Sequence, residues 1–248
     1  MVRYVPTAAV AILLVLYVVF FLVDPTDRAI LRQMGELGWT AGSSPATIKP
    51  LLDALYTYGP WPGIVIASVA LIMRAAWLLN DLSDRRASLD SAARCSRRRL
   101  TYLVLAFLIG PGLIVNAAFK DHFGRARPAQ TIEFGGHARY SPPGLPVSQC
   151  ARNCSFPSGH AAAAFYPLAV AFLLSPPWRR RLFFAAILWG SAVGVTRVLQ
   201  GAHWPSDVVG AFLIVYLTSA ALHRALLGRC PDCPLLCGAS PPRQMTAA

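Results

Sequence analysis

The apolar run over residues 5–23, relieved only by Thr7 and the amphipathic Tyr17, sets the first limit on what this chain can become. Its 19 residues, at about 1.5 Å each, cover nearly the whole hydrocarbon core of a bilayer. No small-x-small cleavage site follows it, so it reads as a retained transmembrane helix rather than a signal peptide. Five more apolar stretches follow, over residues 63–79, 100–119, 158–175, 182–196 and 207–222. The second contains Arg74 near one end, where a long side chain can snorkel to the headgroups. The third carries Gly110-Pro111-Gly112 in its middle, where a kink is expected. The pattern predicts an all-α polytopic membrane protein, a bundle of six transmembrane helices over residues 1–222. A cytoplasmic tail over 223–248 has no apolar period and reads as partly disordered. Composition agrees: 55% hydrophobic and 14% charged residues, with a mean hydropathy of +0.48, do not describe an ordinary soluble domain.

Between the first two spans, residues 24–60 form a polar linker in which Ile30, Leu31, Met34 and Leu37 share one helical face. Arg28, Arg32 and Glu36 lie largely elsewhere, as in a short interfacial helix. The net charge is +12, from 23 Lys and Arg against 11 Asp and Glu. Six arginines fall between residues 81 and 99, and this reads as a cytoplasmic loop rather than a nucleic-acid site. Six spans put both termini on one side. That side holds 13 Lys and Arg against 9 on the other, which makes it cytoplasmic.

Three pieces of sequence then reach the same, non-cytoplasmic face. They are Lys120-Asp121-His122-Phe123-Gly124-Arg125-Ala126-Arg127-Pro128, then Pro157-Ser158-Gly159-His160, and last Thr196-Arg197 followed by His203 and Asp207. Ser158 is placed to cap a helix begun by the alanines after His160, and such an N-terminus suits a phosphate. Together the pieces gather three cations, two histidines, a helix start and a carboxylate. That set suits phosphoryl transfer, in which a protein mainly positions and stabilises charge. His203 and Asp207, four apart, can meet on a helical turn. A histidine so held can attack phosphorus while a second protonates the departing oxygen. No carboxylate cluster suggests a Mg²⁺ site, so neither metal nor cofactor is expected.

These pieces resemble the three signature motifs of the type 2 phosphatidic acid phosphatase superfamily, K-x6-R-P, P-S-G-H and S-R-x5-H-x3-D, with Thr196 standing where the pattern has Ser. The resemblance covers residues 100–222, the motif-bearing core. It implies His203 as the nucleophile that forms a phosphohistidine, Asp207 as its orienting partner and His160 as general acid. It further implies that Lys120, Arg127, Ser158, Gly159 and Arg197 hold the phosphate, and that hydrolysis is metal-independent. The expected protein is a multi-pass lipid phosphatase of the cytoplasmic (inner) membrane, with its active site on the periplasmic or extracellular side. Its partners would be a phosphorylated lipid and the bilayer, with no nucleic acid, and its oligomeric state stays open. The loop with Phe134-Gly135-Gly136 and Cys150 to Cys154 resembles that of lipid A phosphatases, but phosphatidic acid, phosphatidylglycerol phosphate and undecaprenyl pyrophosphate remain competitors.

A lipid phosphotransferase using the same intermediate is the main alternative. A vanadium haloperoxidase, whose family shares the motifs, is soluble, and a non-catalytic transporter would leave the histidines and cations without a reason. His122 and His137 read as solvated loop histidines. Arg125, Arg139 and Arg152 are open between a second anionic contact and an ion-paired or solvated role. Cys150 and Cys154 stand in an oxidising compartment, and spacing leaves a disulfide undecided. Cys230, Cys233 and Cys237 read as free or lipidated rather than as a zinc site. The tryptophans, Trp204 among them, read as an aromatic belt.

Overall fold

The computed structural model describes residues 15, 25–36, 46–83 and 91–228. The first expected span and the tail cysteines lie outside the described residues. What is described is helical, without a strand beyond one isolated bridge between Thr131 and Ala138. Helix α1 spans Pro25–Glu36, α2 Lys49–Tyr58, α3 Trp61–Ser83 and α4 Ser91–Phe107. A π-helix, Leu108–Phe119, continues α4 into the single turn α5, Lys120–His122. After a long loop come α6 Gly159–Phe165, α7 Pro167–Ala171, α8 Pro176–Leu199 and α9 Pro205–Leu226.

Four of these stretches are long and apolar enough to cross a membrane: Lys49–Asn80, Ala92–His122, Pro176–Leu199 and Pro205–Leu226. The protein is thus an all-α polytopic bundle, although the stretch expected as a fourth span takes a different form. Pro167 has no N–H to continue the helix begun at Gly159, and α6 gives way to the separate helix α7. This broken segment occupies the centre of the bundle, with Ala161, Ala162, Phe165, Tyr166, Leu168 and Ala169 all at 2% exposure or less. A segment apolar on every side is what a central position requires. Conversely, α3 presents Val65, Val69, Ile72 and Leu79 outward, the face a hydrocarbon solvent accepts.

At Pro111 the expected kink takes the form of a wider coil. The Asn116 side chain donates to the Pro111 carbonyl at 2.7 Å, and the Lys120 N–H reaches back five residues to Val115. π-Helical turns of this kind concentrate at functional sites. Helix α1 forms as its periodicity predicts, but its apolar face is not simply laid on the membrane. Leu31 is buried, and with Met34 it packs against Val198 and Trp204, beside the expected catalytic loop.

Candidate active site

Backbone hydrogen bonds lace the three motif segments together. Cys154 N–H donates to the Lys120 carbonyl at 3.1 Å, Ser155 N–H to Arg125 at 2.8 Å, and Ser158 N–H to Asp207 at 3.2 Å. Helix α9 starts with Pro205 in its first turn, where a missing N–H is harmless. Asp207 caps that start by accepting from the Trp204 N–H at 2.9 Å. Ser158 caps α6 as expected, its Oγ accepting from Ala161 N–H at 3.4 Å.

His203 is 1% exposed. Its Nδ1 lies 2.8 Å from the Ser155 carbonyl oxygen and 3.4 Å from Asp207 Oδ2. A carbonyl only accepts, so the proton sits on Nδ1 and the lone pair on Nε2. Asp207 approaches the same nitrogen at longer range, while the nearer backbone carbonyl fixes the tautomer. Burial pushes His203 below its ordinary pKa of 6.5, against the opposing pull of Asp207, and this favours the neutral imidazole.

Behind this pair lies a buried ion network. Arg125 Nη1 donates to Asp207 Oδ1 at 2.5 Å and to Ser206 Oγ at 2.8 Å, Nη2 to Asp27 Oδ2 at 2.8 Å, and Nε to the Ser141 carbonyl at 2.9 Å. Asp27 also accepts from the Ser206 N–H at 2.9 Å and from its hydroxyl. Asp207 Oδ2 takes a further bond from Ser155 Oγ at 2.5 Å. Burial opposes the charge on Arg125, but Asp207 and Asp27 outweigh it and hold the guanidinium above its ordinary value. Burial likewise raises the Asp27 carboxyl, with Arg125 and Ser206 pulling the other way. Trp204 and Tyr140 face the guanidinium at 5.3 and 5.6 Å.

Cations gather near both histidines, with Arg197 and Lys120 acting on His203. His160 feels the charges of Arg197, His203, Lys120 and Arg127, which places all five side chains in one electrostatic neighbourhood. Cys150 and Cys154 form a disulfide, and the tight loop it closes presents Asn153 to the cations. Asn153 Oδ1 accepts from Lys120 Nζ at 3.1 Å and its carbonyl from Arg127 Nη2 at 2.9 Å. Its N–H is held by Asp121 at 3.1 Å. Arg197 Nη1 is steadied by Gln200 at 2.5 Å, while its buried Nε has no hydrogen-bond partner among the described residues. At Gly159 a Cβ would stand 2.6 Å from Asn116 Oδ1 and 3.4 Å from Lys120 Nζ, so only glycine lets those side chains approach the start of α6.

A cavity of about 420 Å³ opens beside this cluster. Lys120, Asn116 and His160 line its polar end, and Ile64, Phe107 and Pro111 its apolar end; His203 is not in its wall. Among the described residues, no group of three or more His, Cys, Asp or Glu is placed to hold a metal ion. A model of the PAP2 superfamily matches residues 99–229, more than half of the chain. The chain belongs to the PAP2 superfamily. It is 39% identical over 124 residues to a lipid A 4'-phosphatase of Francisella tularensis subsp. novicida, covering 50% of this chain and 56% of the relative. It is 36% identical over 162 residues to a lipid A 4'-phosphatase of Rhizobium etli, covering 62% and 58%. It is 31% identical over 173 residues to a lipid A 1-phosphatase of Rhizobium etli, covering 68% and 67%. The chain thus spans somewhat over half the length of the first of these curated relatives. No solved structure matches it.

The structure brings the expected motif residues His203, Asp207, His160, Lys120, Arg127, Ser158, Gly159 and Arg197 into one neighbourhood. Arg125 resolves to the ion-paired alternative, and His122 and His137 are exposed, as expected of loop histidines. Trp204 requires a correction, since it is fully buried with Nε1 donating to the Ala126 carbonyl at 2.9 Å, and so is no part of a belt. Asp27, Tyr56, Asn116, Asn153 and Ser155 went unmarked in the sequence. Nothing in the linker marks Asp27, which stands among other acidic residues such as Asp24 and Glu36, and for Arg125 the available signal was its place two residues before Arg127.

Proposed function

We propose that this PAP2 protein is an integral membrane lipid phosphatase that removes a phosphate monoester from a lipid A-type substrate without a metal ion. The observation that carries the reading is the His203 ring, pinned through Nδ1 by the Ser155 carbonyl, in the field of Arg197 and Lys120 and beside a second histidine, His160, that feels the same two cations and Arg127. Phosphate oxygens are natural acceptors for Arg197 Nε and natural counter-charges for Lys120, Arg127 and Arg197. His203 Nε2 attacks phosphorus, the bond from phosphorus to the lipid oxygen breaks, and His160 gives that oxygen its proton. The arriving phosphate brings the negative charge that favours a protonated His160 among its cationic neighbours. Water then attacks the phosphohistidine, His160 takes the proton back, and inorganic phosphate leaves.

Because His160 and Lys120 line the cavity and His203 does not, the cavity suits the leaving lipid, with the phosphate at the end that carries Lys120. The names of the relatives favour lipid A over phosphatidic acid, phosphatidylglycerol phosphate and undecaprenyl pyrophosphate. The charge asymmetry of the loops supports a site at the outer face of the cytoplasmic membrane. The test is phosphate release from a panel of these lipids by purified protein in detergent, with and without EDTA. Release from lipid A that EDTA leaves unchanged and His203→Ala abolishes is expected. Retained turnover in folded His203→Ala would remove the nucleophile, and EDTA-sensitive, Mg²⁺-restored activity would remove metal independence.

A further inference from the structure

Tyr56 belongs to no motif and stands outside the region that matches the family, at residues 99–229. It nevertheless touches two members of the cation and histidine cluster. Its ring stacks on the His160 imidazole, with centroids 4.9 Å apart and planes 18° from parallel. The Arg197 guanidinium carbon lies 4.6 Å from the centroid of the same ring. Tyr56 also lines the cavity beside Lys120, Asn116 and His160.

The placement is built rather than incidental. Helix α2 ends at Tyr58, and the turn that follows is tied to α8 by the Trp189 Nε1 donor on the Gly59 carbonyl at 2.8 Å. At Gly59 a Cβ would come 2.4 Å from the Val193 side chain, so the backbone there lies directly against α8. The helix bearing Tyr56 is thus anchored to the helix bearing Arg197, three residues from the ring in question.

We propose that Tyr56 is a positioning residue for proton donation, its ring holding the His160 imidazole at the cavity wall where the leaving oxygen departs. This rests on the phosphatase reading and on His160 as the acid. The groups facing His160 are Lys120 at the end of the π-helix, Arg127 from the long loop, Arg197 from α8 and His203. All of these resist an imidazolium when they are charged, and the π face of Tyr56 favours one. The ring face does this work, so the hydroxyl is dispensable.

The experiment compares dodecyl phosphate, whose alkoxide leaves only with a proton, with 4-nitrophenyl phosphate, whose phenolate leaves without one. Tyr56 is 41% exposed, so its replacement leaves the core intact. Tyr56→Leu is expected to lower kcat on dodecyl phosphate roughly ten- to hundredfold, part of what a general acid supplies, and that on nitrophenyl phosphate less than about threefold. Tyr56→Phe is expected to stay near wild type on both. His160→Ala, run alongside, should show the same selectivity more strongly. Equal losses on both substrates in Tyr56→Leu, or no loss on either, overturn the inference while leaving the acid assignment standing if His160→Ala stays selective. Equal losses in His160→Ala overturn the acid assignment and this inference with it. A wild-type protein that cleaves neither ester overturns the phosphatase reading itself.

Discussion

Replacing Arg125 by Met keeps most of the side-chain volume and removes the charge from the centre of the buried network. Arg125 meets Asp27 at 2.8 Å and Asp207 at 2.5 Å, with all three side chains at 1% exposure or less. At an effective dielectric of about 20, each contact carries about 6 kcal/mol of attraction. Desolvation of several kcal/mol per ion offsets much of that, so the intact network contributes little net stability. The variant faces a different balance, because two carboxylates that already feel one another stay buried without their cation. Breaking such a group by removing one partner costs about 3–5 kcal/mol. For a chain of this length that is a fall of roughly 6–20 °C in Tm. Adding Asp27→Asn removes one orphaned charge and should restore about 1–3 kcal/mol, a coupling visible only if the two side chains form one unit. Thermal unfolding of wild type, both single variants and the double variant in detergent measures this. An Arg125→Met protein that melts within about 3 °C of wild type, or a double variant less stable than Arg125→Met, would refute the reasoning.

Further outcomes follow from other parts of the site. Because burial holds His203 below 6.5, it stays neutral as pH falls past the point where an exposed histidine protonates. The acid limb of kcat/KM should then lie below pH 6.5, and a pH–rate profile that declines from higher pH contradicts this. Reducing the disulfide, or replacing Cys150 and Cys154 by Ser, frees the loop that holds Asn153 between Lys120 and Arg127. KM should rise by roughly three- to tenfold with kcat less affected, as expected when cations binding ground and transition states alike are loosened. In Gly159→Ala the new methyl displaces Asn116 and presses on Lys120. A loss of roughly a hundredfold in kcat/KM with an unchanged Tm is expected from misplacement of this order, and steady-state kinetics with a thermal melt decide it.

The motif residues were legible because what places them is local. Ser158 caps its own helix, His203 and Asp207 are four apart, and Pro205 starts α9. Apolar length likewise announced the bundle, while it gave no sign that within residues 158–175 a single proline inside a mostly buried stretch divides the helix in two. Asp27 and Tyr56 were not legible for the opposite reason. Asp27 meets Ser206 across 179 residues of sequence, and Tyr56 meets His160 and Arg197 from a separate helix, so no periodicity or spacing marks either one. Apolar spacing also predicted α1 correctly but assigned its face to lipid. Leu31 and Met34 instead pack on Val198 and Trp204, because a helix beside a protein wall buries the same stripe that it would offer to a membrane.

The bonds from Asp27 to Arg125 and Ser206 also bear on when the site comes into being. During synthesis α1 and the loop bearing Arg125 emerge long before α9, so an early chain holds Arg125 and Asp27 without the carboxylate that faces His203. Asp207 arrives within the first turn of α9, and its backbone carbonyl then receives the Ser158 N–H. Seating α9 therefore completes the surroundings of His203, the proposed nucleophile, together with the bond to Ser158 and the ion network, in one event. A nascent chain arrested before α9 would be expected to lie in the membrane as an inert helical assembly, and hydrolytic competence would appear only at the close of insertion.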